Sequence, residues 1–213
     1  MKKLFYLLIC AFFILNVNAQ QTGDFLGTVS IGYSPLGNLN AVIIGDDAKF
    51  KYNYKAGWGV NVDYNTRFNN GFDMLTELNY WKGKLDSYKP DGSIEKFNPT
   101  PSENLSYFSF NVYYGRSLAL NRFVIQGVIG PGFSYLNGGP IHNLCLSPAA
   151  KARVVGYITP KIGMYVGANG RYNIGFKKPG ILSVFQWNIE AGIVFNIGAA
   201  NVLQYKNQKH KPL

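Results

Sequence analysis

The stretch Phe185-Gln186-Trp187-Asn188-Ile189-Glu190-Ala191-Gly192-Ile193-Val194-Phe195-Asn196-Ile197 carries an apolar residue at every odd position, while Gln186, Asn188, Glu190 and Asn196 fall among the residues between. Side chains alternate across a strand, so this segment has one greasy face and one face bearing amides and a carboxylate. The greasy face runs longer than a half-buried soluble strand needs. It suits lipid, and the polar face suits the lumen of a barrel.

The same pattern recurs upstream. Alternation and turn residues predict eight strands: Asp24 to Ser34, Ala56 to Phe68, Phe72 to Lys82, Leu105 to Leu118, Arg122 to Tyr135, Pro148 to Ile158, Lys161 to Asn173 and Leu182 to Ile197. Short connections at Asn69-Asn70-Gly71, Ala119 to Asn121 and Thr159-Pro160 alternate with long ones at Pro35 to Lys55, Gly83 to Asn104, Leu136 to Ser147 and Ile174 to Ile181. The expectation is an all-β, eight-stranded, up-and-down antiparallel transmembrane barrel with short periplasmic turns and long external loops.

Two rows of aromatics support it. Near the short turns stand Phe25, Phe68, Phe72, Phe123 and Phe195; near the long connections stand Tyr33, Trp58, Tyr80, Tyr135, Tyr172 and Trp187. Amphipathic rings gather at the two interfaces of a bilayer, and a soluble barrel gives no reason for paired rows at matching depth.

Residues 1–19 read as a cleaved signal peptide: Lys2 and Lys3 open it, an apolar run follows from Leu4 to Leu15, and Val17-Asn18-Ala19 supplies a small-residue cleavage site. The run is shorter than the ~20 apolar residues of a spanning helix. Residues 20–198 are then the barrel and 199–213 a short periplasmic tail. Cys10 leaves with the signal, so Cys145 alone cannot form an internal disulfide. Without Lys2 and Lys3, 19 basic residues face 11 acidic ones, a net charge of about +8. Export argues against nucleic acid, and the lysines fall in segments read as loops beside anionic headgroups.

Together these residues resemble the small outer-membrane β-barrel domains common in Bacteroidetes, the broad group that includes PorT-like proteins, and in architecture the barrel of outer membrane protein A. The resemblance spans Gln20 to Ile197 and rests on the signal, the eight strands and the terminal Gly192 to Ile197 segment. It implies an outer-membrane location, a surround of lipid and lipopolysaccharide, and little chemistry. Such barrels often end on an aromatic residue, whereas here Phe195 is followed by a tail.

Few residues suggest catalysis. His142 and His210 are expected on opposite sides of the membrane and cannot share a metal. His142 has Ser147 nearby, but no carboxylate lies between Leu136 and Ala150 to complete a lipid-modifying triad. Cys145 is a lone thiol in an expected loop, and the Asn104-Leu105-Ser106 sequon is a chance pattern. No catalytic residue, cofactor or metal is expected. The polar positions inside the barrel are more informative. Across the Asn69 to Gly71 turn, Arg67 should face Asp73 and Asp63 should face Glu77. Asp63, Glu77, Arg153 and Glu190 fall at similar depth with Lys151 one step above, so a plug is expected with Arg153 as its central cation. The expected function is that of a monomeric structural or interaction barrel, presenting its loops to an extracellular or envelope protein. A narrow pore and a lipid-modifying enzyme are the alternatives.

Overall fold

A computed structural model describes residues 26–44, 48–67, 72–92, 103–120, 122–138, 141–177 and 180–197. The expected signal, tail, Phe25, Phe68 and His210 lie outside them. Ten strands follow in order: β1 (Leu26–Ile44), β2 (Ala48–Arg67), β3 (Phe72–Gly92), β4 (Asn104–Leu120), β5 (Phe123–Gly130), β6 (Gly132–Gly138), β7 (Ile141–Leu146), β8 (Ala149–Tyr157), β9 (Ile162–Lys177) and β10 (Gly180–Asn196). They form eight staves, because only Pro131 separates β5 from β6 and only Ser147-Pro148 separates β7 from β8. Every neighbouring pair is antiparallel, and β10 pairs with both β9 and β1, which closes the barrel.

Proline has no N–H to give to a ladder, which explains the two breaks. The register runs on across them: Gly130 pairs with Ala149 and Phe133 with Leu146, so Pro131 stands opposite Pro148.

The wall is inside out relative to a soluble protein. Ile129, Val166 and Met164 are 69%, 58% and 59% exposed, while Asp63, Glu77 and Glu190 are buried. Of the expected aromatic rows, Tyr33, Trp58, Tyr135, Tyr172 and Trp187 face outward at one level and Phe72, Phe123 and Phe195 at the other. From Trp58 to the end of β2 at Arg67 is 10 residues of a 20-residue strand, matching the ~9–11 residues with which a tilted strand crosses a bilayer. The other half projects beyond it.

This projection corrects the reading of the long connections. Pro35 to Lys55 is mostly strand, contributed by β1 and β2, and Gly83 to Asn104, Leu136 to Ser147 and Ile174 to Ile181 each extend the staves in the same way. Their pattern is the reverse of the membrane half. Leu39, Ala41, Phe50, Tyr52, Tyr54, Trp81, Leu105, Tyr107, Leu136 and Ile141 point inward and form one apolar cluster, while Lys49, Lys51, Lys55, Lys84 and Lys89 point outward. Water outside and an apolar core inside is the arrangement of a soluble barrel.

Bulges carry the chain between the two regimes. On β1 the inward residues change from even (Ser30, Ser34) to odd (Leu39, Ala41) across a register shift between Tyr33 and Leu36. On β2 they change from odd (Asn61, Asp63) to even (Tyr52, Tyr54) across a shift between Lys55 and Trp58. An extra residue turns every side chain beyond it to the opposite face.

Glycines make room for two rings. A Cβ at Gly57 or Gly83 would land inside the Trp81 indole, and one at Gly59 would lie 3.2 Å from its Cδ1. Gly32 and Gly192 likewise leave space for the Tyr165 ring. Trp81 and Tyr165 thereby pack across the lumen instead of being forced out by side chains on facing strands.

Candidate functional site

The lumen of the membrane half holds a layer of buried charges. Asp63 projects from β2, Glu77 from β3, Lys151 and Arg153 from β8 and Glu190 from β10, all inward because each strand alternates. Lys151 Nζ lies 3.1 Å from Asp63 Oδ2, 2.6 Å from Glu77 Oε2 and 2.6 Å from Glu190 Oε1. Arg153 donates from Nη1 to Asp63 Oδ1 at 2.8 Å and to Ser30 Oγ at 3.1 Å, and from Nε to Gln126 Oε1 at 2.6 Å.

The hub is therefore Lys151 and not Arg153, which touches one of the three carboxylates. The flexible ammonium of Lys151 reaches the middle of the lumen. The guanidinium of Arg153 is held near the wall by its fork of donors to Gln126, Ser30 and Asp63. Both cations also face the Tyr165 ring, with Lys151 Nζ 5.8 Å and Arg153 Cζ 5.5 Å from its centroid.

A third cation completes the layer. Arg171 on β9 pairs through Nη2 with Glu77 Oε1 and donates from Nη1 to Asn169 Oδ1 at 2.6 Å and Gln186 Oε1 at 3.0 Å. Depth counting did not bring Arg171 to this layer, because the length of its side chain lets it reach Glu77 from a position nearer the external end. Its inward direction was legible, since Tyr172 beside it belongs to the outward aromatic row. Tyr113 donates to Glu77 Oε1 at 3.2 Å and Asn169 to Glu190 Oε2 at 2.9 Å, so neutral groups share the load.

Nearer the short-turn end, Arg67 Nε lies 3.2 Å from Asp73 Oδ1, and this pair is linked to Arg153 through amides: Asn65 Nδ2 donates to Asp73 Oδ1 at 3.4 Å and Gln126 Nε2 to Asn65 Oδ1 at 3.0 Å. Asp63 and Glu77 do oppose each other in register, and Lys151 bridges them. Among the described residues the buried charges are four carboxylates (Asp63, Asp73, Glu77, Glu190) and four cations (Arg67, Lys151, Arg153, Arg171). Equal numbers of each sign make the packed interior formally neutral. Apolar layers lie beside it: Leu75, Tyr113, Val128 and Ala149 form one, and Val124, Val155, Tyr157, Tyr165 and Val194 another.

The other candidate groups are separated by the wall. His142 is exposed, with Nε2 2.9 Å from Tyr135 Oη and Nδ1 3.2 Å from Asn137 Oδ1. Ser147 is buried on the inner side, 3.4 Å from Tyr107 Oη. They do not form a dyad. Cys145, expected in an external loop, is instead an inward residue of β7, buried in the upper apolar cluster. Among the described residues no group of three or more His, Cys, Asp or Glu is placed to hold a metal.

No protein-family model matches the sequence, and no curated protein matches it. Solved structures of small bacterial barrels do. The outer membrane protein OprG from Pseudomonas aeruginosa aligns with a TM-score of 0.53 and 10% identity over 83% of this chain and 97% of its own. Neisserial surface protein A aligns at 0.45 and 11% over 79% and 97%. Ail, the attachment invasion locus protein of Yersinia pestis, aligns at 0.41 and 18% over 79% and 99%. The likeness to OprG lies in the fold, and the chain has the fold of an outer-membrane β-barrel.

Proposed function

We propose that this chain is a structural or interaction barrel of a bacterial outer membrane, with a lumen closed by its own side chains and its extended hairpins standing outside the cell. One observation carries this reading. The charge layer is formally neutral, its side chains are 0–2% exposed, and it spans the lumen from β2 and β3 to β8, β9 and β10. Buried charges left unpaired are costly, so a paired and balanced layer serves closure better than conduction. A pore would require water to pass both this layer and the apolar cluster above it.

The proposal extends to the parts outside the described residues: a signal peptide over 1–19, barrel sequence over 20–198 and a periplasmic tail over 199–213, in a monomer. It includes no catalytic step, since His142 and Ser147 face opposite sides of the wall. The finer assignment, to the PorT-like group of Bacteroidetes barrels, rests on the sequence resemblance. An interaction role is favoured by the polar outer faces of strands that extend above the membrane.

The test is electrical. The full chain, refolded into planar bilayers, is expected to give no steady current. Reproducible single-channel steps from wild-type protein would overturn the closed-lumen reading in favour of a pore.

A further inference from the structure

On the outer face of the β2–β3 hairpin, lysines meet lysines. Lys51 pairs in register with Lys89, and Lys55 with Lys84, while Lys82 stands opposite Trp58. Like charges directly opposite on an antiparallel pair destabilise it, because the side chains lie close and share the same field. Lys49 adds a sixth cation at the tip and is opposed in register by Asp91.

Among the residues whose side chains are described, acids balance the group only in part. Among the described residues the ion pair on this face is Lys55 Nζ to Asp86 Oδ2 at 2.9 Å, and Asp86 also accepts from Asn53 Nδ2 at 3.3 Å. Glu103 is a further exposed acid nearby, its backbone carbonyl accepting from Leu85 N at 2.9 Å. Two lysines placed opposite one another, twice in succession, are a cost to folding that an external anion would remove.

The height of the patch says which anion. Trp58 and Tyr80 sit at its lower edge with ring centroids 5.8 Å apart, edge to face, in the aromatic row that marks the upper bilayer interface. The lysines begin at that row and continue outward along both strands. The ammonium groups of Lys82, Lys55 and Lys84, which lie within three residues of that row, therefore stand where the headgroups of the outer leaflet lie, while Lys51 and Lys89 continue the charge farther out.

We infer that the lower lysine face of the β2–β3 hairpin is a docking surface for the phosphorylated sugar headgroup of an outer-leaflet glycolipid, held by Lys55, Lys82 and Lys84 with Trp58 against its upper acyl region. This rests on the membrane reading above and deepens it by naming the site. Lysine on a flexible stem binds phosphate as a point charge without demanding one geometry, which suits a headgroup carrying phosphates at variable positions.

Native mass spectrometry of the full chain in detergent micelles tests the site, with bisphosphorylated lipid A and its dephosphorylated form as probes. The triple variant Lys55→Gln, Lys82→Gln, Lys84→Gln is expected to bind the bisphosphorylated lipid on the order of a hundredfold more weakly than wild type. Lys161→Gln, at the opposite end of the barrel, should bind as wild type does. Wild type should also prefer the phosphorylated probe strongly. Equal affinity of the triple variant and wild type would overturn the assignment, as would equal binding of the two lipids. Inorganic pyrophosphate bound as tightly as the lipid, with the same lysine dependence, would make this a free-anion site and also overturn it. Heat-modifiable migration of each refolded variant separates these outcomes from a failure to form a membrane barrel at all.

Discussion

Pro131 and Pro148 stand opposite one another in the wall of the barrel, each breaking its own stave. Each keeps half of its pairing to the outer neighbour: Val112 N donates to Pro131 O at 3.0 Å and Tyr172 N to Pro148 O at 2.9 Å. Neither proline can return the bond, so two ladder donors are missing at one height. Below this seam the outer wall is built of small residues, with Gly127, Ala150, Ala152, Ala168 and Gly170 lining a groove of about 500 Å³ beside Tyr114 and Ile129.

The seam is expected to be the weakest part of the membrane wall. In micelles, amide hydrogen exchange at Gly130, Gly132, Ser147 and Ala149 should be faster than at Asn61, Val62 and Leu78, which lie within unbroken ladders. NMR-detected exchange on the refolded chain measures this. Equal protection at the two sets of amides would show that the remaining bonds hold the seam as firmly as the rest.

The Trp81 cradle gives a second prediction. Gly83→Ala places a methyl group inside the indole position and should cost about 1–3 kcal/mol by overpacking. Most of that cost should vanish in a Trp81→Leu background, because the two side chains are in direct conflict. Gly127→Ala is the control, since a Cβ there meets nothing within 4 Å. Urea midpoints in lipid vesicles supply the cycle, and additive costs for Gly83→Ala and Trp81→Leu would deny the contact.

How far the sequence revealed this arrangement depended on which side of the wall was apolar. Phe185 to Ile197 keeps one alternation throughout, and a single template with apolar residues outward finds it. Leu39, Ala41, Phe50, Tyr52 and Tyr54 alternate just as regularly, but with the opposite sense and after a bulge. A template expecting grease on the lipid side registers them as irregular. The charge layer was legible in its members on β2, β3, β8 and β10, because strand alternation fixes direction. Its centre was not, because counting residues gives the depth of a Cα and not of the charged end. Lys151 and Arg171 both reach farther than that count allows.

The upper cluster predicts an alkaline response. Tyr54 lies on β2 beyond Trp58, outside the bilayer, and burial pushes its phenol up to about 12; Tyr52 is driven up further, by burial first and then by Tyr88 and Tyr54. A phenol whose folded pKa exceeds its unfolded value of about 10 stabilises the fold fully below that pH. The contribution is lost as pH rises from about 10 toward 12. Wild type should therefore lose stability across that window relative to Tyr54→Phe, which cannot ionise. Unfolding midpoints that stay parallel for the two proteins through the window would show that Tyr54 ionises as freely as a solvent-exposed phenol.

The position of Lys151 at the meeting of Asp63, Glu77 and Glu190 makes it the most consequential charge in the lumen. Lys151→Ala leaves three carboxylates converging on an empty centre, with Arg153 still neutralising Asp63 and Arg171 still neutralising Glu77. Glu190 then keeps only the Asn169 amide at 2.9 Å. Breaking a buried charge cluster costs about 3–5 kcal/mol, whereas an exposed charge such as Lys161 is worth about 0–1 kcal/mol. Arg153→Ala should fall between them, because Lys151 continues to hold Asp63. The double change Lys151→Ala with Glu190→Gln should recover part of the loss by removing the carboxylate left without a cation. Urea unfolding of the four variants in lipid vesicles gives the order: Lys161→Ala least, Arg153→Ala next, Lys151→Ala most, with the double variant above Lys151→Ala. A Lys151→Ala midpoint no lower than that of Arg153→Ala would place the centre of the layer elsewhere.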